Sequence, residues 1–295
     1  MDFEEFLWAC EENMLAEEIR SSFLKNKALF EAVHEKSLSL YKDYLFIGGL
    51  PASILEYLDK NRNLNKYDRI IKQNIIDGYI ADMSKYTTSA EHMRIRKTYY
   101  SMPKQLGRDN RKFKYKLVDE KANKLKYETS IDWLLNSNLI TRCVLVDKPQ
   151  IPLTAYEKTD YFKLYMNDVG LLVELCNMSA YDVFRDENMI FKGMLAENYV
   201  AQMLASKDYR LNYWTSSNTA EVDFILSIKG NVIPIEVKAS GNTKSKSLNV
   251  YTQMYNPRYV IKISSKNFGF VNNIKSVPLY SVHLIKSLIS TDDIP

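Results

Sequence analysis

The stretch Glu221-Val222-Asp223-Phe224-Ile225-Leu226, followed by Ile233-Pro234-Ile235-Glu236-Val237-Lys238, constrains this chain more than any other. Val222, Phe224, Leu226 and Ile228 alternate with Glu221, Asp223 and Ser227, and Ile233, Ile235 and Val237 alternate with Pro234, Glu236 and Lys238, the period-2 pattern of two strands. Lys229-Gly230-Asn231 between them is a turn signal. With Lys229 and Gly230 at the centre of the turn, Asp223 stands opposite Glu236, on one face, with Cβ atoms roughly 4.5–5.5 Å apart. Lys238, two residues on, points to the same face. A turn on Gly230-Asn231 pairs Asp223 with Lys238 instead. Opposed carboxylates repel unless positive charge lies between them. A hard divalent cation resolves the conflict, since Mg²⁺ typically takes one or two carboxylates together with water and phosphate oxygens. Lys238 is then placed to orient an attacking water or to stabilise charge developing on a phosphate. The plainer alternative is a surface hairpin in which Glu236 and Lys238 form a weak exposed pair.

A third acid lies upstream. Phe191 through Leu204 has helical periodicity, and Glu197 shares a stripe with Met194, Ala201 and Leu204. Such an acid needs a partner, or a place at the rim of the stripe from which it reaches water.

The order of a helix with Glu197, a strand with Asp223, a strand with Glu236-Val237-Lys238 and a further helix resembles the restriction-endonuclease-like nuclease superfamily. The motif there is an acid on the first helix followed by Asp and then Glu-x-Lys. More closely, the chain resembles the C-terminal region of bacterial and archaeal P-loop AAA-type ATPases that end in a nuclease-like domain. The stretches that carry this are Phe3 through Leu7, Gly48-Gly49-Leu50-Pro51, Phe162 through Leu172, Gly193 through Asn198, Tyr213-Trp214 and the hairpin. The resemblance implies a Mg²⁺- or Mn²⁺-dependent nuclease domain acting on DNA. Asp223 and Glu236 would be metal ligands, Glu197 a third ligand or water-positioning acid, and Lys238 the catalytic lysine. The chain departs from the pattern at its front end, because no Gly-x-x-x-x-Gly-Lys-Ser/Thr occurs among its nine glycines and no ATP binding is expected of it. The resemblance sets Phe3 directly after an ATPase core, which makes that ATPase region an expected partner if the chain is truncated there. A Gln-x-x-x-Tyr element is not matched either, since Gln253 is followed four residues later by Pro257.

With 295 residues, 46% apolar and 26% charged, the chain has the composition of a globular protein with room for two or three domains. No apolar run approaches the length of a membrane span, and the acidic start has no secretory character. Cys10, Cys143 and Cys176 are widely spaced and odd in number, which fits a reducing cytoplasm and neither a disulfide framework nor a zinc site. The three histidines show no ligand spacing, so any metal is expected to be oxygen-ligated.

The net charge of +4 conceals a polarity along the chain. Residues 1–59 carry 12 acids and 5 basic residues, whereas residues 91–128 carry 12 basic residues and 5 acids, and residues 229–266 carry 7 against the single acid Glu236. The two basic segments are candidate phosphate contacts, or solvated lysine-rich faces. The candidates are Arg108, Arg111, Lys112, Lys114 and Lys116, then Lys124 and Lys126 near a helix start, and Lys244 and Lys246 beyond the hairpin.

These observations give an α+β, multidomain expectation. Residues 1–90 form a helical module, which the resemblance makes the tail of an ATPase region. Residues 91–168 form a winged-helix-like unit, 169–190 a connector, and 191–295 a restriction-endonuclease-like domain with a mixed sheet. Helices are expected from Phe3 into Ile19, at 28–33, 41–46, 54–58 and 70–80, with Pro51 in a first turn, and a late strand at 277–282. The expected function is metal-dependent DNA cleavage. The alternative is a non-catalytic nucleic-acid-binding or regulatory module, and an acidic N-terminal surface also suits a homo-oligomeric assembly.

Overall fold

The computed structural model describes residues 1–184, 189–216, 220–240 and 246–289. The chain opens with helix α1 (Phe3–Ala9), started by a reciprocal cap in which Asp2 accepts from Glu5 N at 2.9 Å and Glu5 accepts from Asp2 N at 2.7 Å. Glu11 takes a left-handed conformation at φ 58°, so the single helix expected from Phe3 into Ile19 is broken, and α2 (Asn13–Lys25) starts anew. The reverse holds for α3 (Glu31–Ile47), which joins two expected helices because no Gly or Pro interrupts them. Gly48 ends α3, and Pro51 sits in the first turn of α4 (Pro51–Asp59), as its fixed φ suits. Helix α5 (Ile70–Lys85) follows. Phe3, Phe6, Tyr44 and Tyr57 pack ring against ring where α1, α3 and α4 meet.

Helices α6 (Ser89–Tyr100), α7 (Met102–Leu106) and α8 (Lys124–Asn136) lead into strands β1 (Ile140–Val146) and β2 (Glu157–Met166). Then come α9 (Val169–Leu175), α10 (Ala180–Phe184), α11 (Met189–Ser206), β3 (Leu211–Thr215), β4 (Glu221–Ile228), β5 (Asn231–Val237), α12 (Lys246–Tyr255), β6 (Val260–Ser264), β7 (Gly269–Val271) and β8 (Ile274–Pro278). The late strand is β8, earlier than expected. It pairs with β7 across Asn272-Asn273, both left-handed as a tight hairpin requires, and Leu279–Ile289 continues as 3₁₀ helix rather than strand.

Among the described residues eight strands form one mixed sheet in the order β2-β1-β3-β4-β5-β6-β8-β7. The protein is thus α+β, with a mixed sheet as expected. Strands β1 and β2, assigned by sequence to a separate middle unit, extend the same sheet as the C-terminal strands through the parallel pairing of β1 with β3. Helix α11 lies against β1, β2, β3 and β5, while Leu248 and Tyr251 of α12 build a second apolar cluster with Trp214, Val222 and Ile225.

The helical part is tied to the sheet region at several places, among them Leu29 to Asn267, His34 to Tyr280 and Lys275 to Phe23 O, and most tightly at the joint between Gly48-Gly49 and Asp168. Asp168 caps α9 by accepting Leu171 N at 2.9 Å and also accepts Gly49 N at 2.7 Å. Gly48 lies at φ 82°, and a Cβ there would stand 2.2 Å from Asp168 Oδ1, so only glycine allows the approach. A Cβ at Gly170 would stand 2.5 Å from Gly48 N, so two of the stretches that carried the resemblance fit each other in space.

Candidate functional site

The β4–β5 hairpin takes the register with Lys229 and Gly230 at its turn, at φ 47° and 74°. Pairing runs from Ile228 with Asn231 to Phe224 with Ile235. Just beyond it, Val237 N donates to Asp223 Oδ2 at 2.8 Å, which fixes the carboxylate beside the strand carrying Glu236. Glu236 is 4% exposed, and its Oε1 lies 2.7 Å from Lys238 Nζ.

Glu197 reaches this place because α11 is bolted to the end of β2. Asn198 accepts Met166 N at 2.8 Å and donates to Met166 O at 3.0 Å, and Gln202 accepts Val169 N at 2.9 Å. Lys163 and Tyr165, two residues apart on one face of β2, both meet Glu197 Oε1, the lysine at 3.1 Å. Arg111 Nη1 lies 2.6 Å from Glu197 Oε2. Lys163 Nζ also lies 2.7 Å from Glu221 Oε1 and stands 5.1 Å from the centre of the Tyr213 ring.

These groups surround a cleft of about 630 Å³ lined by Asp109, Arg111, Gly193, Glu197, Glu221, Asp223, Glu236 and Lys238, among others. Among the described residues five carboxylates line it against Arg111 and Lys238, with Lys163 beneath the floor and Lys262 beside Glu236 on β6. The imbalance shows in the acids. Burial works to raise the Glu197 carboxyl, but Lys163 and Arg111, with Tyr165 donating, hold it below its ordinary value. Burial would lower the Lys163 ammonium, and Glu197, Glu221 and Asp223 overcome this and hold it above that of an ordinary lysine. Asp223 is left with the excess, since burial, then Glu197 and Glu236, push its carboxyl well above the usual range. Burial opposes the Lys238 charge, and Glu236 more than restores it.

As a metal site the donors divide. Both Glu197 oxygens are engaged by Lys163, Tyr165 and Arg111, and among the described residues no three or more His, Cys, Asp or Glu side chains are placed to hold a metal ion. Glu236 Oε2, by contrast, is buried without a hydrogen-bond partner among the described residues. A buried carboxylate oxygen left bare beside Asp223, whose ionisation burial and its acidic neighbours oppose, fits a hard cation on those two residues.

Glu197, Asp223, Glu236 and Lys238 are therefore brought together around one cleft. Of the expected phosphate contacts, Arg111 joins it, half-buried. Arg108, Lys114, Lys116, Lys124, Lys126 and Lys246 are exposed elsewhere, and Lys124 pairs with Asp160. Lys112 is half-buried and pairs its backbone with Lys163. Lys244 lies outside the described residues. Lys163, Tyr165 and Glu221 were not singled out from sequence. The available signal was a lone lysine inside the apolar run Phe162 to Met166, where a buried charge requires an acid.

Fold and site together define an α+β protein with a charged cleft at the middle strands β4 and β5 of a mixed sheet. Within it, residues 38–182 match the model of a domain of unknown function, DUF8612, and residues 192–282 that of another, DUF4143. DUF4143 is a domain found in AAA-ATPase-associated proteins. No curated protein and no solved structure matches this chain. Among the described residues no helix is long and apolar enough to cross a membrane.

Proposed function

We propose that the cleft is the site of a metal-dependent DNA nuclease, in a restriction-endonuclease-like domain that works with an AAA-type ATPase region. The observation that carries this reading is the placement of Asp223, fixed by Val237 N–H and with its charge opposed by its acidic neighbours, next to Glu236 Oε2, buried and bare, beside Lys238. Asp223 and Glu236 would hold Mg²⁺ or Mn²⁺, which when bound supplies Lewis-acid stabilisation of phosphate charge and a more acidic water. Lys238, whose side chain is 36% exposed at the cleft, is placed to orient that water or to meet negative charge on the phosphate. Glu197 acts by fixing Lys163 and Arg111. In this reading the exposed lysines of 114–126, in a winged-helix-like setting, carry DNA across the surface.

The test compares cleavage of single-stranded, duplex and branched DNA in Mg²⁺ or Mn²⁺ by the wild type, Glu236→Ala and Lys238→Ala. Activity is expected only in the wild type, and equal activity in all three would sink the assignment. One observation favours a second reading, a non-catalytic binding or regulatory platform: Glu197 is fully engaged by its cations. Calorimetric titration with Mn²⁺ separates the two, since the platform binds none.

A further inference from the structure

Arg111 is spent on one side only. Its Nη1 holds Glu197 Oε2, while its Nε is buried without a hydrogen-bond partner among the described residues. A guanidinium is a planar fork whose Nε edge is shaped for two oxygens of one phosphate or carboxylate. The side chain is held rather than loose. Its backbone is left-handed at φ 48°, the next residue pairs with Lys163, and Phe113 N donates to Phe162 O at 2.9 Å, so the loop is sewn to the edge of β2. The fork lies close beside α11, since a Cβ at Gly193 would stand 3.3 Å from Arg111 Nη2, and the side chain as a whole stays 16% exposed where it lines the cleft. Glu236 Oε2, nine-tenths buried and bare, belongs to the same cleft, so cation-seeking and anion-seeking groups line one space.

We propose that Arg111 is the phosphodiester-binding residue of this cleft, taking the phosphate oxygens of a DNA strand on its Nε edge while Nη1 stays on Glu197. The inference rests on the nuclease reading and adds to it a substrate contact that comes from the segment before β1. Because carboxylates outnumber cationic groups among the described residues that line the cleft, a phosphate enters only when a divalent ion offsets them. Arg111 is therefore silent toward DNA in chelator.

The experiment measures fluorescence anisotropy of labelled tri-thymidylate, too short to span the exposed lysines of 114–126, with Ca²⁺ to support binding without turnover. Wild type is expected to bind in Ca²⁺ and not in EDTA. Arg111→Lys, which keeps the charge and loses the fork, should bind about tenfold more weakly with its thermal midpoint unchanged. Gly193→Val, which keeps every charge and pushes the guanidinium aside, should weaken binding similarly. If both variants bind as tightly as wild type while Glu236→Ala still abolishes cleavage, the Arg111 proposal falls and the nuclease reading stands. If wild type neither binds the probe nor cleaves DNA, both fall.

Discussion

A lysine with no exposed surface can keep its charge only if neighbouring acids outweigh its desolvation, and Lys163 meets that condition with Glu197 and Glu221. Removing one partner of such a pair costs more than the pair contributes, because the other charge is left buried alone. Lys163→Met is expected to lose about 3–5 kcal/mol in urea unfolding, and a loss below 1 kcal/mol would show that Glu197 does not depend on it. Asp223 has the opposite character. Its folded carboxyl lies above the unfolded value, so the stability it lends is complete below the ordinary carboxylate pKa and is lost as pH rises through the folded value. Asp223→Asn removes that loss and can still accept Val237 N–H. It is expected to stabilise the metal-free protein by about 1–2 kcal/mol at neutral pH and by nothing in acid. Urea melts at two pH values check this, and a less stable variant at neutral pH would contradict it. Glu197 runs the other way, its contribution present above the ordinary carboxylate pKa and lost as pH falls through its depressed folded value.

At the scale of elements, two left-handed glycines separate strain from crowding. Gly230, at φ 74°, has open space where a Cβ would be, so Gly230→Ala should cost about 1 kcal/mol, the conformational penalty alone. Gly48 adds a collision with Asp168 Oδ1, and Gly48→Ala should cost about 2 kcal/mol or more in the same unfolding assay. The hairpin around Gly230 was readable from sequence because period-2 alternation and a turn residue are local signals. Asp223 and Glu236 follow from it, and Glu197 from the helical stripe upstream. What sequence did not reveal is nonlocal: the parallel pairing of β1 with β3, and the reach of Lys163 and Arg111 to Glu197. Neither leaves a pattern within its own segment, and Arg111 looked like any other member of a basic run. The short β7 was missed for another reason, since three residues are too few to show a period.

For the whole molecule, the shared sheet matters more than the number of segments along the chain. Residues 192–282, matched as one domain, contain Glu197 but neither Lys163 nor Arg111, and would lose β1 and β2 beside β3. That fragment alone is expected not to fold, whereas the full chain should melt in a single transition by circular dichroism and calorimetry. Two resolved transitions, or a folded fragment with native-like dispersion in NMR, would refute the coupling.

The sheet is open, so it has two rims at which another backbone can add. One is β2, whose outer part Lys158-Thr159-Asp160 is exposed and mixed in charge, and whose inner part is already occupied by the backbone of 112–113. The other is β7, three residues long and ended by Asn272-Asn273. Neither rim offers the long, flat, apolar strand that recruits a neighbour into a fibre. The chain can therefore keep a many-stranded sheet uncapped in a crowded solution, and lengthening β7 with β-branched residues would be the most direct way to make it aggregate.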